Sequence, residues 1–498
     1  MRGRVSVAAA LVGIAIASSL VSTDSGSAAD IQLQLGNLLT AEGRYREAIR
    51  AYRKAGRDVE ERLRLPIATG LVQALLRTGE FNDAREEAEA LVADLPSHSL
   101  ARSILGDALW ASGLFDEAER SYRDALSSGP DDARARHGMA RALAARSRLE
   151  EAMIEAQAAL KLAPREGEYH YTVGAIFERM HRFEEAATSF QGYLNLLPNR
   201  DRSEKAAWAR AQIRFLRAFK DRRPFLIDGD AESMLHTVPF KLVREKVVVS
   251  GRVNKGRPMD FVLDTGAEQT ILSDTVARRA GVTPITYVQS AGVGEVGLRG
   301  LQIGRIDQLQ FGTLTIHDVP SLIKNPPLGG LPTRETEAFS PLSLGLSMII
   351  DYDKKLLTIG RRIKMAPEIE VPLRLHRLAM VRGVVNSRPA SFVVDTGGEV
   401  ISISQATAGS LSVDPAFRRI PLKVYGTSGW DRDAFLMPNV DLEFSTIRFS
   451  RIPVVVLNLR APSALLGFEL GGIVGHKFLS QYRVGIDLER STLALSTN

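Results

Sequence analysis

The chain has 498 residues, 45% of them apolar and 24% charged. That balance excludes fibrous and disordered classes and leaves room for about three domains. Lys and Arg exceed Asp and Glu by six, too thin an excess over this length to mark a nucleic-acid surface. Cysteine is absent, which removes disulfide scaffolds, thiol nucleophiles and Cys-ligated metals.

Residues 1–29 carry Arg2 and Arg4, an apolar run over 5–21, then small residues ending Ser27-Ala28-Ala29. This three-part order predicts a secretory signal cleaved after Ala28 or Ala29, and with it a periplasmic or secreted bacterial protein. A membrane enters only if that segment stays uncleaved as an anchor.

Residues 30–200 repeat themselves. Ala84, Ala118, Ala152 and Ala186 fall 34 apart, preceded by Ala48. Three residues before each of these alanines stands a large apolar residue: Tyr45, Phe81, Phe115, Leu149 and Phe183. Pro96, Pro130, Pro164 and Pro198 keep the same spacing, and Gly36, Gly70, Gly106, Gly138 and Gly174 lie upstream. The pattern resembles the tetratricopeptide repeat in five copies. Small residues let the two helices of a repeat approach, the large residue that starts the second helix fills the gap, and proline ends that helix because it cannot continue the ladder. The resemblance implies an all-α solenoid whose groove binds a protein partner. Residues 201–223 read as a capping helix over 201–219, burying Trp208, Ile213, Phe215 and Leu216, and a linker at Lys220-Asp221-Arg222-Arg223-Pro224.

Beyond the linker the pattern alternates with period two, in short Val, Ile, Leu and Phe runs broken by Gly and Pro, so the rest is β-rich. It is one lobe written twice, over 236–365 and 366–498. Val238-Pro239 is answered by Val371-Pro372, and Arg257-Pro258 by Arg388-Pro389. Asp264-Thr265-Gly266 is answered by Asp395-Thr396-Gly397, each after Phe-Val-aliphatic. Each lobe closes on a strand–turn–strand around Asp351 and Asp487. Ser343-Leu344-Gly345 pairs with Ile473-Val474-Gly475, and on that pairing the first lobe lacks the short helix predicted at His476-Lys477-Phe478-Leu479.

The duplicated triplets resemble those of aspartic peptidases of the retropepsin-like and pepsin-like group. That resemblance implies two all-β lobes whose loops meet on a two-fold axis, with peptide or protein as substrate. Two close carboxylates share one proton, because like charges resist joint ionisation; the ionised member activates water and the protonated member polarises the scissile carbonyl. Asp264 and Asp395 are the candidate catalytic pair. Thr265, Gly266, Thr396 and Gly397 would hold the two loops. Glu268 and Glu399 stand where the family often places an acidic residue against substrate. Residues 290–297 and 425–430 are candidate flap hairpins, with Gly294 and Trp430 as cleft residues. Gly398 departs from the usual Ala or Ser after the triplet. No cofactor or metal is implied: the eight histidines are scattered without metal spacing, and neither a phosphate loop nor a nucleophile elbow occurs.

The reading is an exported aspartic endopeptidase whose repeats recruit a protein substrate or partner. Two alternatives stay open. The lobes are degenerate and form a peptide-binding scaffold, or they pair only between two chains.

Overall fold

The computed structural model describes residues 28–56, 59–199, 201–220, 222–230, 234–294, 297–324, 337–411 and 419–497. The signal segment lies outside the described residues except for Ala28 and Ala29, which begin the first helix. Among the described residues no helix is long and apolar enough to cross a membrane.

Five helix pairs come first: α1 (Ala28–Ala41) with α2 (Tyr45–Ala55), α3 (Glu61–Thr78) with α4 (Phe81–Asp94), α5 (Ser99–Ala111) with α6 (Phe115–Ser128), α7 (Ala133–Ala145) with α8 (Leu149–Leu162), and α9 (Gly167–Arg179) with α10 (Phe183–Leu196). The five register residues Tyr45, Phe81, Phe115, Leu149 and Phe183 each open the second helix of a pair, and each repeat proline stands two residues past its end. A different aromatic fills the space between helices. Tyr52 is wedged between Gly36 and Gly70, where a Cβ would come within 2.4 and 2.5 Å of its ring. Tyr122 sits likewise between Gly106 and Gly138, at 2.4 and 2.2 Å. The glycines are needed for close approach, and each ring joins one repeat to the next.

A further helix, α11 (Glu204–Arg217), closes the array. Ser203 caps it, its hydroxyl accepting from the Ala206 amide. Asp201, buried just before it, accepts from Tyr45 at 3.1 Å and from Arg77, and Arg77 also reaches Glu168 at 2.8 Å. The end of the array is thereby tied back to its first two repeats.

The rest is β structure in two lobes over one shared apolar core. The closing hairpins of the two lobes join in a six-stranded antiparallel sheet. Its order is His236–Val243, Leu356–Gly360, Ser347–Asp351, Tyr482–Asp487, Thr492–Thr497, Ile369–His376. The lobes meet at Ile349 opposite Gly485, with Met348, Ile350, Val484 and Ile486 fully buried around that seam. Two-fold repetition in the sequence has become two-fold symmetry in space.

The helical array is docked on both lobes. Trp110, Leu114 and Phe115 share an apolar cluster with Leu378, Met380, Val393 and Phe468 of the second lobe. Phe215, Leu216 and Phe219 of the α11 region pack on Val288 and Ile303 of the first. Polar contacts frame the second-lobe contact: the Glu469 amide donates to the Ala111 carbonyl at 2.7 Å, and Arg374 and Arg382 pair with Asp116 and Glu117.

Candidate active site

Two β-strands, Met259–Leu263 and Arg388–Val394, each run through the core and deliver an aspartate at the end. Each is paired in parallel with a short strand, Glu337–Phe339 in the first lobe and Gly472–Val474 in the second. The Asp264 amide donates to the Phe339 carbonyl at 2.9 Å, and the Asp395 amide to the Val474 carbonyl at 3.0 Å. These bonds fix which residues correspond between lobes. Phe339-Ser340 answers Val474-Gly475, and the helical turn Pro341–Leu344 answers the helix His476–Leu479. The expectation that the first lobe lacks this helix is therefore wrong. Ser340 stands where the second lobe has Gly475, and Gly345 is the left-handed cap of the turn, with φ 70°. Aligning the lobes on glycine matched two residues with different roles.

The two Asp-Thr-Gly loops interlock within one chain. The Thr265 amide donates to the Thr396 hydroxyl at 3.1 Å, and the Thr396 amide to the Thr265 hydroxyl at 3.0 Å. Each hydroxyl then donates across the axis, Thr265 to the Val394 carbonyl at 2.6 Å and Thr396 to the Leu263 carbonyl at 2.7 Å. Both threonines are buried. Four hydrogen bonds away from water hold the loops in register, and leaving any one partner unpaired there is costly. No second copy of the chain is needed to bring the loops together.

Each carboxylate accepts from its own loop, Asp264 from the Gly266 amide at 3.0 Å and Asp395 from the Gly397 amide at 2.7 Å. Across the axis each lies against the other loop's glycine. A Cβ on Gly266 would come within 2.5 Å of Asp395 Cγ, and one on Gly397 within 2.6 Å of Asp264 Cγ. Glycine is thus required at both positions. Gly398 has a similar reason: a Cβ there would stand 3.0 Å from Asp395 Oδ2. Burial, then the charge of Asp395 and a hydrogen bond to it, push the Asp264 carboxyl up to about 7.

The outer residues behave unequally. Glu268 is held by Arg377 of the second lobe, Nε to Oε2 at 2.7 Å. Glu399 is exposed and pairs with Lys477 at 2.9 Å, which holds its carboxyl below the usual range. Gly294, with φ 138°, abuts the backbone of Ser428. The tips of the two hairpins grip one another: the Gly292 amide donates to the Ser428 hydroxyl at 3.1 Å, and the Ser428 amide to the Val293 carbonyl at 2.9 Å. Glu295 and Val296, in the first candidate flap, lie outside the described residues. Trp430 faces Tyr425 across the second hairpin, ring centroids 5.1 Å apart, and so packs that hairpin.

Two residues were not singled out from sequence. Lys246 donates to the Gly397 carbonyl, as Arg377 reaches Glu268, so each lobe sends a cation to the other lobe's loop. The two stand 131 residues apart, the same spacing as the aspartates. Extending the lobe alignment back from the triplets would have found them.

Residues 249–347 and 381–470 match the aspartyl protease family. Residues 33–63, 69–119 and 105–167 match tetratricopeptide repeats. Solved structures similar to the helical part include TTC0263, a thermophilic tetratricopeptide protein of Thermus thermophilus. It is 21% identical, covers 38% of this chain and 99% of its own, and has a TM-score of 0.32. MamA from Desulfovibrio magneticus RS-1 is 23% identical over 34% of this chain and 96% of its own, with a TM-score of 0.25. Among curated proteins nothing matches. The chain carries N-terminal tetratricopeptide repeats and a C-terminal retropepsin-like aspartic-protease domain in two lobes.

Proposed function

We propose that this chain, a tetratricopeptide array joined to a two-lobed aspartyl-protease domain, is an exported aspartic endopeptidase. The observation that carries the reading is the pair of interlocked loops, with Asp264 raised to about 7 beside Asp395. Below that pH the pair holds one proton. The ionised member takes a proton from an attacking water as it adds to the scissile carbonyl. The protonated member donates to the carbonyl oxygen, and as the C–N bond breaks the proton taken from water passes to the leaving amine, so the pair again holds one proton. The titration belongs to the pair, so the proton has no fixed owner through the cycle. Thr265, Gly266, Thr396 and Gly397 hold the two carboxylates in place, and the joined hairpin tips would part to admit a peptide. The repeats would recruit or present a protein substrate, since solenoids of this kind expose extended binding surfaces.

A first lobe without its short helix would favour the degenerate-scaffold alternative, and the turn Pro341–Leu344 stands in that helix's place. Digestion of a peptide library between about pH 4 and 7 tests the proposal. Cleavage is expected, lost in Asp264→Asn and in Asp395→Asn and blocked by a statine-type analogue. Cleavage that survives both substitutions would sink the reading.

A further inference from the structure

Arg377 stands where the two lobes and the helical array come together. It occupies the turn between the strands Ile369–His376 and Leu378–Val385, in left-handed conformation with φ 62°. Its guanidinium is spent in three directions. Two nitrogens hold the Glu268 carboxylate at 2.7 and 2.6 Å, a third nitrogen donates to the Leu465 carbonyl at 3.2 Å, and the central carbon lies over the ring of Trp208, 5.0 Å from its centre. Glu268 is four residues past Asp264 in the same loop. Trp208 is on α11, outside the protease domain.

Trp208 was expected in the sequence as part of a buried helix face, but it is only half-buried. Its ring is fixed by other rings of the array, with Phe190 at 5.5 Å edge-on and Tyr171 at 5.9 Å. A ring so fixed gives the guanidinium an immobile, negatively polarised face, and partial removal from water strengthens that attraction. The chain of contact therefore runs from the fifth repeat, through Trp208 and Arg377, to the loop that carries Asp264.

We infer that Trp208 is a positioning residue for the first Asp-Thr-Gly loop, so that the helical array supplies a working part of the active site as well as a binding surface. The inference rests on the peptidase reading for its effect on turnover, and on geometry alone for its effect on the loop. Arg377 has a long, flexible stem; without the ring it samples other rotamers, Glu268 loses its fixed partner, and the loop around Asp264 loosens.

The test uses the full chain and two substitutions at one position. Trp208→Leu keeps apolar bulk and removes the ring face; Trp208→Phe keeps a ring. Hydrogen–deuterium exchange of the loop at 264–270 is read first, because it needs no substrate. The Leu variant is expected to exchange there about tenfold faster, and the Phe variant to stay within about threefold of the parent. On a peptide cleaved by the parent, kcat falls about tenfold in the Leu variant with KM little changed, and Phe restores most of it. A folded Leu variant with parental loop exchange and parental kcat overturns the inference. Should the Leu variant not fold, Trp208→Met reads the same contact: it keeps an adaptable apolar side chain and loses the ring face. Parental loop exchange in that variant also overturns it. A parent that cleaves nothing, yet whose loop loosens in Trp208→Leu, rejects the peptidase reading and leaves the coupling standing.

Discussion

The two lobes came from one plan and now differ by their neighbours. Around the aspartates they agree bond for bond: the same amide donates to each carboxylate, the same threonine crosses the axis, and the same parallel strand receives each aspartate amide. Away from the axis they part. The first lobe has a long hairpin, Thr283–Ala291 with Leu298–Phe311, whose outer face packs on α11. The second has a short one, Val424–Gly426 with Gly429–Asp431, and gives its packing surface to α5 and α6 instead. The acidic residue after the triplet is clamped by arginine in the first lobe and exposed in the second. Symmetry is kept where the two loops face one another across the axis and is lost where each lobe meets a different part of the array.

The largest effect tests the symmetric part. Asp264→Asn and Asp395→Asn are each expected to lower kcat at least about a thousandfold, since each removes a group that moves a proton. Asp264→Asn should also change how stability depends on pH. Folded Asp264 takes up its proton near 7, against 3.8 for the ordinary side chain. Between those values the folded state binds the extra proton, so stability falls as pH rises through that window. Thermal melts across it should show a downward slope in the parent that is flattened in Asp264→Asn. Activity of the parent should decline as pH passes about 7, where the pair loses its shared proton.

Next come the glycines, which grade the same loops by crowding. Gly397→Ala drives a Cβ to 2.6 Å from Asp264 Cγ, while Gly398→Ala brings one only to 3.0 Å from Asp395 Oδ2. The first should cost about 2–3 kcal/mol and most of the activity, the second under about 1.5 kcal/mol. Denaturant unfolding of the two variants checks the order; equal losses would mean the loops give way more easily than their packing implies. Thr265→Val and Thr396→Val each remove a hydroxyl that donates and accepts in the buried crossing, leaving a carbonyl and an amide unpaired, and should cost at least about 1–3 kcal/mol, and alike, because their partners are alike.

Much of this was legible in the sequence because it rests on local patterns. The residues at the start of each second helix, the prolines past each end and the duplicated triplets lie in plain register, and the elements form there. What was not legible depends on contacts between distant segments. Tyr52 fills the gap between Gly36 and Gly70, yet no single repeat contains both neighbours of that ring. The turn Pro341–Leu344 was hidden because Ser340 replaces the glycine used as a landmark. Trp208 reads as an ordinary core residue of an amphipathic helix, and only the fold brings Arg377 to its face.

The smallest effect lies at the divergent edge. Glu268 and Glu399 occupy the same position in the two loops, but the Arg377 side chain facing the first is 19% exposed and the Lys477 side chain facing the second is 51% exposed. A surface ion pair of the second kind contributes little, because water and salt screen it and two mobile side chains must be held. Glu399→Gln should therefore change stability by under about 0.5 kcal/mol and leave turnover within about twofold. Glu268→Gln leaves a half-enclosed guanidinium without its counter-ion and should cost about 1–3 kcal/mol. Melting and turnover of the two single variants, measured side by side, decide the matter. If Glu399→Gln proves the costlier, the second loop depends on its rim carboxylate, and the asymmetry between the lobes runs opposite to their burial.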